Sequence, residues 1–223
     1  MQKFDTPGTI AAVLDIPAGR IRFIAADRAD AVVEVLPADA SKGRDVQAAE
    51  QTKVEYGDGV LRIVAPAAKN QILGDSGSVE VTVQLPAGSR IEAKTASAEF
   101  QGVGRLGDVG FEGAQGTVKL DETASAHLAL LAGDISVGRL GGPAQISTQK
   151  GDIHIAEAVT GTVTLSTEHG AISVGAARGV SASLDARTSY GRIHNSLHNT
   201  EGDGAGLNIH ATTSYGDITA RSL

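Results

Sequence analysis

The sequence has no cysteine and no tryptophan, and aromatic residues make up only 3% of its 223 residues. Without cysteine the chain can form no disulfide and offers no thiolate for catalysis or metal binding. Without large rings, the core has to be filled mainly by isoleucine, valine, leucine and alanine. The length is sufficient for one large β domain with a sizeable core. This composition favours thin, regularly stacked layers over a bulky globular interior.

Clusters of basic residues are also missing, since 19 Lys and Arg are scattered among 26 Asp and Glu, giving a net charge of -7. Nucleic-acid binding needs clustered basic side chains, so we expect no nucleic-acid partner. No stretch approaches the ~20 apolar residues of a membrane-spanning helix, and we expect no direct membrane insertion. Asp5, Pro7 and Asp15 interrupt the apolar core that a signal peptide would need. The sequence as given therefore predicts a cytoplasmic location, which an export segment upstream of it would change.

Glycine, in contrast, is abundant, with 28 residues, and six glycines mark an internal repeat. Their spacings are 17, 18, 19, 21 and 25 residues, as expected for a fixed unit with a lengthening loop. These anchor glycines are Gly116, Gly133, Gly151, Gly170, Gly191 and Gly216. Two positions after each anchor stands a β-branched residue: Val118, Ile135, Ile153, Ile172, Ile193 and Ile218. Polar residues alternate with this column, which indicates a strand after every anchor.

A second alternating strand precedes each anchor, and four units carry threonine three positions before the glycine: Thr148, Thr167, Thr188 and Thr213. Each unit is thus two short strands that meet at a glycine corner. Such a unit cannot bury its apolar side alone, so neighbouring units have to stack about 4.8 Å apart. We therefore predict an all-β fold, a β-solenoid-like stack of two-strand units of about 17–25 residues.

Residues 1–95 do not follow this register, although they also alternate like strands. The letters "YGDG" at 56–59 predict a hairpin, and a short helix is expected within 41–52. We predict an irregular N-terminal β layer over 1–95 that caps one end of the solenoid formed by 96–223. Two domains and one continuous domain both stay open.

The phrases "GDISV", "GDIHI", "GAISV" and "GDITA" recur after the anchors. They resemble the repeats of the bacterial putative-adhesin family, a domain of unknown function built of β-strand repeats. The resemblance covers about residues 95–223 and extends to the "LPAGSRIEAK" stretch before them. The resemblance implies a stacked β-rich fold with no established enzymatic activity. Many members of the family look exported or membrane-anchored, which this chain does not.

Metal and cofactor sites find little support in the repeats. The aspartates that follow three anchors, Asp134, Asp152 and Asp217, are ordinary turn residues, and Ala171 and Arg192 interrupt their column. His154 and His194 share an outward position two units apart in the sequence. At about 10 Å separation they cannot share one zinc ion, whose bonds to nitrogen are about 2.0 Å. We predict neither a metal nor a cofactor.

The column just before the anchors carries the most distinctive exposed chemistry, namely Ala132, Lys150, His169, Tyr190 and Tyr215. Tyr190 and Tyr215 are expected to stack next to His169 as an aromatic platform for a sugar ring or a partner side chain. A ring pair that merely covers the corner is the alternative. With the two outward histidines, the candidate binding surface is Tyr190, Tyr215, His169, His154 and His194, and the expected partner is a protein or a carbohydrate.

The function predicted from these features is that of a non-enzymatic interaction or scaffold protein. A carbohydrate-active enzyme on a β-helix is one alternative, with Asp185, Arg187 and Arg192 as a charged row, but no catalytic motif supports it. The other alternative is a self-assembling structural solenoid. The final "SYGDITARSL" ends halfway through a unit, which predicts a homo-oligomer through an open C-terminal edge strand unless the 196–206 loop covers that strand.

Overall fold

The computed structural model describes residues 1–66 and 77–223. Strands dominate it, with one α-helix, α1 (Gly43–Gln51), and one 3-10 turn (Gly202–Gly204) in these ranges. The strands are β1 (Gln2–Asp5), β2 (Ala11–Asp15), β3 (Ala18–Ala26), β4 (Asp30–Pro37), β5 (Lys53–Gly57), β6 (Val60–Val64), β7 (Val79–Pro86), β8 (Arg90–Ala132), β9 (Ile135–Leu140), β10 (Ala144–Lys150), β11 (Ile153–Ala158), β12 (Gly161–His169), β13 (Ile172–Ala176), β14 (Ala182–Tyr190), β15 (Ile193–Ser196), β16 (Leu207–Tyr215) and β17 (Ile218–Ser222). The predicted all-β, solenoid-like fold is confirmed.

The repeat units form two ladders of parallel strands. Strands that precede an anchor glycine make the pre-corner ladder, in which β10 pairs with both β8 and β12. Strands that follow an anchor make the post-corner ladder, in which β11 pairs with both β9 and β13. The predicted β-branched column lies in register, with Ile153 opposite Ile135 and Ile172, and all three are buried. Both ladders contribute their apolar columns to one core.

The units do not stack in chain order at the C-terminal end. Strand β16 pairs with β12 on one side and β14 on the other, and β17 likewise lies between β13 and β15. The last unit is therefore inside the stack. The prediction of an open C-terminal edge strand is wrong, because the connection over 197–206 reaches back across one unit and places β17 between two partners. In the described part of the chain, β14 and β15 form the edge instead.

The N-terminal residues extend both ladders. Strand β2 pairs with the beginning of β8 and with β6, while β3 pairs with residues 97–103 of β8 and with β7. The 43-residue β8 bends round the stack and also pairs with β9 and β10. The unit made of β2 and β3 thus lies between β8 and the unit made of β6 and β7. A domain division at residue 95 stays a prediction.

Antiparallel strands form the predicted cap at this end. Strand β5 pairs with β6, β4 with β7, and β1 with β4. The hairpin predicted at 56–59 is confirmed, because Asp58 and Gly59 have φ values of 51° and 74°, as a two-residue type I′ turn requires. The expected helix is α1, and the Ser78 N–H donates to its buried Asp45 carboxylate at 3.0 Å.

The few large rings of the core gather near the cap. Phe100 packs against Phe23 and Phe111, with ring centroids 5.7 Å and 5.0 Å apart, and all three side chains are buried. Beyond this cluster the core consists of isoleucine, valine, leucine and alanine columns, as the composition predicts. The phenylalanines therefore lie toward the capped end of the core, and the glycine-led repeats at residues 133–223 have a core without large rings.

Candidate functional site

The glycine corners are places where neighbouring backbones touch. A Cβ atom on Gly170 would lie 1.9 Å from the carbonyl oxygen of Gly151, and one on Gly216 would lie 1.9 Å from that of Gly170. These separations are far inside van der Waals contact, so only glycine fits without movement of the backbone. The same contact joins Gly191 to Gly216, also at 1.9 Å, which places Gly191 last in the column.

Threonines before the anchors fasten each unit to its neighbour. The Thr167 hydroxyl donates to the carbonyl of Gly151 at 3.0 Å, and Thr213 makes the same bond to Gly170. Thr188 bonds in this way to Gly216, across the reordered end of the stack. The threonine of the repeat is therefore a structural residue, because its hydroxyl satisfies a backbone carbonyl at a corner.

Aspartates after the anchors also connect neighbouring units through hydrogen bonds. Asp134 accepts a hydrogen bond from the N–H of Asp152 at 2.9 Å, and Asp152 accepts one from Ala171 at 2.7 Å. Asp217 accepts from Arg192 at 2.8 Å. Each of these carboxylates thus accepts a backbone N–H of a neighbouring unit, so the column links units rather than only shaping its own turn. Within residues 1–66 and 77–223, no group of three His, Asp or Glu side chains is placed to hold a metal ion.

The position just before the anchors forms the candidate site. The rings of His169, Tyr215 and Tyr190 stack in this order and are called the aromatic column below. The centroids of His169 and Tyr215 lie 4.8 Å apart with their planes at 12°, and those of Tyr215 and Tyr190 lie 4.9 Å apart at 4°. These separations match the spacing of hydrogen-bonded strands, so the ladder itself holds the rings parallel.

The aromatic column is exposed and has one open end. Tyr190 is 67% exposed and Tyr215 is 51% exposed, whereas the phenylalanines of the core are buried. Lys150 is the register neighbour of His169 on the inner side. Tyr190 lies on the edge strand β14, and in the described part of the chain no further ring stacks on its outer face. A planar group could extend the column there.

His154 and His194, the other predicted site residues, are not brought together. They lie on the post-corner ladder, where the register runs from His154 through Ser173 and Thr219 to His194. Three strand spacings separate them by about 14 Å, rather than the predicted 10 Å, because the last unit is inserted between β13 and β15. Their membership of a binding surface stays a prediction.

The charged row considered for an enzyme, Asp185, Arg187 and Arg192, lies on the exposed edge strand β14 and just after it. The Arg187 Nη2 atom lies 3.5 Å from the Asp185 Oδ2 atom, and the His210 Nδ1 atom lies 3.8 Å from the same oxygen. Asp185, Arg187 and His210 are all more than half exposed, so water screens these contacts. Arg192 instead donates its backbone N–H to Asp217. These side chains are arranged like ordinary solvent-exposed charges, and their geometry gives no support to an enzyme site.

A groove that the sequence did not reveal lies on the outer face of the pre-corner ladder. Gly110 leaves a gap there, and the open groove of about 530 Å³ is bordered by Arg90, Glu92, Lys94 and His127. Arg90 pairs with Glu92, and Lys94 pairs with Glu112 at 3.2 Å. The borders are therefore largely charge-balanced. Gly110 lies outside the anchor column, so the repeat pattern gave no signal for it.

The Toastrack DUF4097 family model matches residues 16–221. The chain belongs to this family. The predicted resemblance to the putative-adhesin domain of unknown function is thereby confirmed. In the described part of this Toastrack protein, no helix combines the length and apolar character needed to cross a membrane.

Solved structures similar to this Toastrack chain include a putative adhesin of Parabacteroides distasonis ATCC 8503, at 16% identity and a TM-score of 0.48, covering 100% of this chain and 95% of the other. A putative adhesin of Bacteroides fragilis NCTC 9343 is 13% identical with a TM-score of 0.44, covering 98% and 95%. A putative lipid binding protein of Parabacteroides distasonis ATCC 8503 is 11% identical with a TM-score of 0.43, covering 98% and 95%. No curated protein matches the chain.

Proposed function

We propose that this Toastrack domain is a non-catalytic binding protein whose ligand contacts the aromatic column, His169, Tyr215 and Tyr190. The observation that carries the proposal is the parallel stack of three exposed rings, with centroids 4.8 Å and 4.9 Å apart. Aromatic residues are only 3% of the chain, so two exposed tyrosines in one stack are a notable use of a scarce residue type.

The proposed ligand class is carbohydrate, with an aromatic or Arg side chain of a protein partner as the second class. Tyrosine offers an apolar ring face and a hydroxyl that can donate or accept a hydrogen bond. A sugar ring has the matching surfaces, namely a face of C–H groups and a rim of hydroxyls. The outer face of Tyr190 is the free position at which such a ring would continue the stack.

The ladders support the proposal because they hold the rings in place before a ligand arrives. Tyr215 and Tyr190 follow Thr213 and Thr188, whose hydroxyls are bonded to anchor carbonyls at 3.0 Å. The N–H of Gly216 also donates to the carbonyl of Tyr190 at 2.9 Å. A ligand therefore meets rings on a fixed backbone, which lowers the entropy cost of binding.

The test is to screen the protein against a glycan array and a peptide library, and then to compare variants on every ligand found. Tyr190→Ala together with Tyr215→Ala should abolish binding, and Tyr190→Phe should retain the part due to ring stacking. Leu131→Ala is the matched control, because Leu131 is 51% exposed on the same ladder and lies outside the column. Full binding by a folded double-alanine variant would reject the aromatic column as the site.

A further inference from the structure

The two ends of the stack differ in whether further strands cover the last parallel unit. At the N-terminal end, antiparallel strands and the ring pair of Phe4 and Tyr56, 5.5 Å apart, cover the last parallel unit. At the other end, β14 pairs only with β16 among the described residues. Ile193 on the adjoining β15 is 45% exposed, and Leu184 and Ala186 of β14 are only half-buried. The core positions of β14 and β15 are therefore only partly covered at this end of the stack.

The free hydrogen-bonding groups of β14 can be assigned from its contacts. The N–H of Leu207 donates to the carbonyl of Ser181, so odd-numbered residues direct their backbone groups toward β16. The N–H of Ala182 donates to the carbonyl of His198 in the following loop, so the even-numbered residues from Ala182 to Thr188 face away from β16. The N–H and C=O groups of Leu184, Ala186 and Thr188 are consequently directed at the open edge, with no strand of the described residues beyond them.

The charges of β14 are self-complementary. Asp185 and Arg187 lie on either side of Ala186 and point to the outer face, with more than half of each side chain exposed. If a second copy of β14 pairs antiparallel about Ala186, its Arg187 lies directly opposite Asp185, and its Asp185 lies opposite Arg187. These two pairs are non-hydrogen-bonded positions, where side chains come closest, and Ala186 and Leu184 occupy the hydrogen-bonded ones.

We propose that β14 binds β14 of a second copy of this chain, antiparallel and centred on Ala186, to form a two-fold symmetric dimer. The paired segment is 184–188, which leaves Tyr190 and the aromatic column outside it. The backbone alternation permits this register, and the charge pattern selects it over the neighbouring pairing centred on Asp185, in which the two Asp185 carboxylates would face each other. An isologous interface of this kind closes on itself, so it produces dimers and not filaments.

The first experiment follows the mass by sedimentation equilibrium from about 10 μM to about 1 mM, since a short edge pairing should be weak. A monomer–dimer equilibrium that weakens in high salt is expected, because exposed ion pairs are screened. Arg187→Asp alone and Asp185→Arg alone should each raise the dissociation constant at least about tenfold, as two attractive pairs become repulsive. Lys94→Asp, which breaks an exposed ion pair elsewhere on the same ladder, is the control and should leave it unchanged.

Complementation makes the test independent of any general effect on folding. An equimolar mixture of Arg187→Asp and Asp185→Arg should form a heterodimer, and the double variant that carries both changes should dimerise again. Amide hydrogen exchange should slow at Leu184 and Ala186 as the concentration rises. A strictly monomeric protein, a mixture that forms no heterodimer, or protection confined to other strands would overturn the proposal. Ligand binding by the aromatic column should persist in the monomeric variants, so the two proposals can fail separately.

Discussion

The order of units at the C-terminal end can be tested by comparing two anchor glycines. In the structure Gly216 lies inside the column, between Gly170 and Gly191, whereas Gly191 is its last member. If the units stacked in chain order, these roles would be exchanged. Replacing each glycine by alanine therefore asks which of the two has neighbours on both sides.

The expected cost follows from the contacts at each corner. A Cβ atom on Gly216 would lie 1.9 Å from the carbonyl oxygen of Gly170, and the strand cannot move away because β14 lies behind it. To relieve this contact the backbone at Gly216 would have to move. The movement would disturb the hydrogen bonds from Thr213 to Gly170, from Thr188 to Gly216 and from Gly216 to Tyr190. At about 1 kcal/mol for each bond, Gly216→Ala should lower the free energy of unfolding by about 3 kcal/mol.

The edge position should tolerate the same change better. A Cβ atom on Gly191 would also lie 1.9 Å from a carbonyl oxygen, that of Gly216, but its strand is free to move outward. Gly191→Ala should therefore cost about 1 kcal/mol, mainly through the bond from Arg192 to Asp217. Gly206→Ala is the control, because a Cβ atom there would have no other atom within 4 Å, and it should change stability by less than about 0.5 kcal/mol.

Urea unfolding followed by circular dichroism measures all three variants, provided that the slope of the transition stays that of the parent protein. Equal losses for Gly191 and Gly216 would contradict the difference between edge and interior. A larger loss for Gly191→Ala would refute the reordered stack altogether.

Three further predictions concern the core, the corner threonine and the cap. Phe100→Ala should cost about 3–5 kcal/mol in unfolding free energy, because the buried ring contacts two others, and thermal melting would measure it. Thr167→Ala should cost about 1–2 kcal/mol in urea unfolding while Thr167→Ser retains most of the stability, since only the hydroxyl bonds the neighbouring anchor carbonyl. Hydrogen bonds from Arg28 and then Lys3 lower the pKa of Asp30 from 3.8 to about 2. Asp30 should therefore contribute stability above pH 3.8 that is lost as the pH falls toward 2, and Asp30→Asn should flatten that part of a urea-midpoint-against-pH curve.

The strands, buried faces and glycine corner of each unit could be predicted from the sequence, because local residue patterns determine them. Alternation of apolar and polar residues sets which side of a strand is buried, and the anchor glycine sets where the chain turns. Ile153 and Ile172 consequently lie opposite each other as expected. The same reasoning put Tyr190 and Tyr215 side by side, because residues at one offset of a repeat form a column.

The order of the units could not be predicted in the same way. The repeated strands share the same alternation of residues, so β12 could pair with β14 nearly as well as with β16. The deciding feature is the connection over 197–206, which is long enough to return across one unit. The sequence consequently predicted a platform of Tyr190 and Tyr215 beside His169 but did not indicate that Tyr215 is the ring next to the histidine. The distance between His154 and His194 was underestimated because the sequence did not show that β17 lies between β13 and β15.

The internal position of the last unit has a consequence for how the molecule is made. A ribosome delivers β14 and β15 before β16 and β17, yet the final partners of the earlier pair are β16 and β17, which lie between it and β12 and β13. Growth by simple addition of each newly synthesised turn is thus ruled out at this end. The strands β14 and β15 can therefore reach their final partners only after Ser222 has been synthesised. Completion of the stack at this end then depends on β16 and β17, which are synthesised after the strands they support.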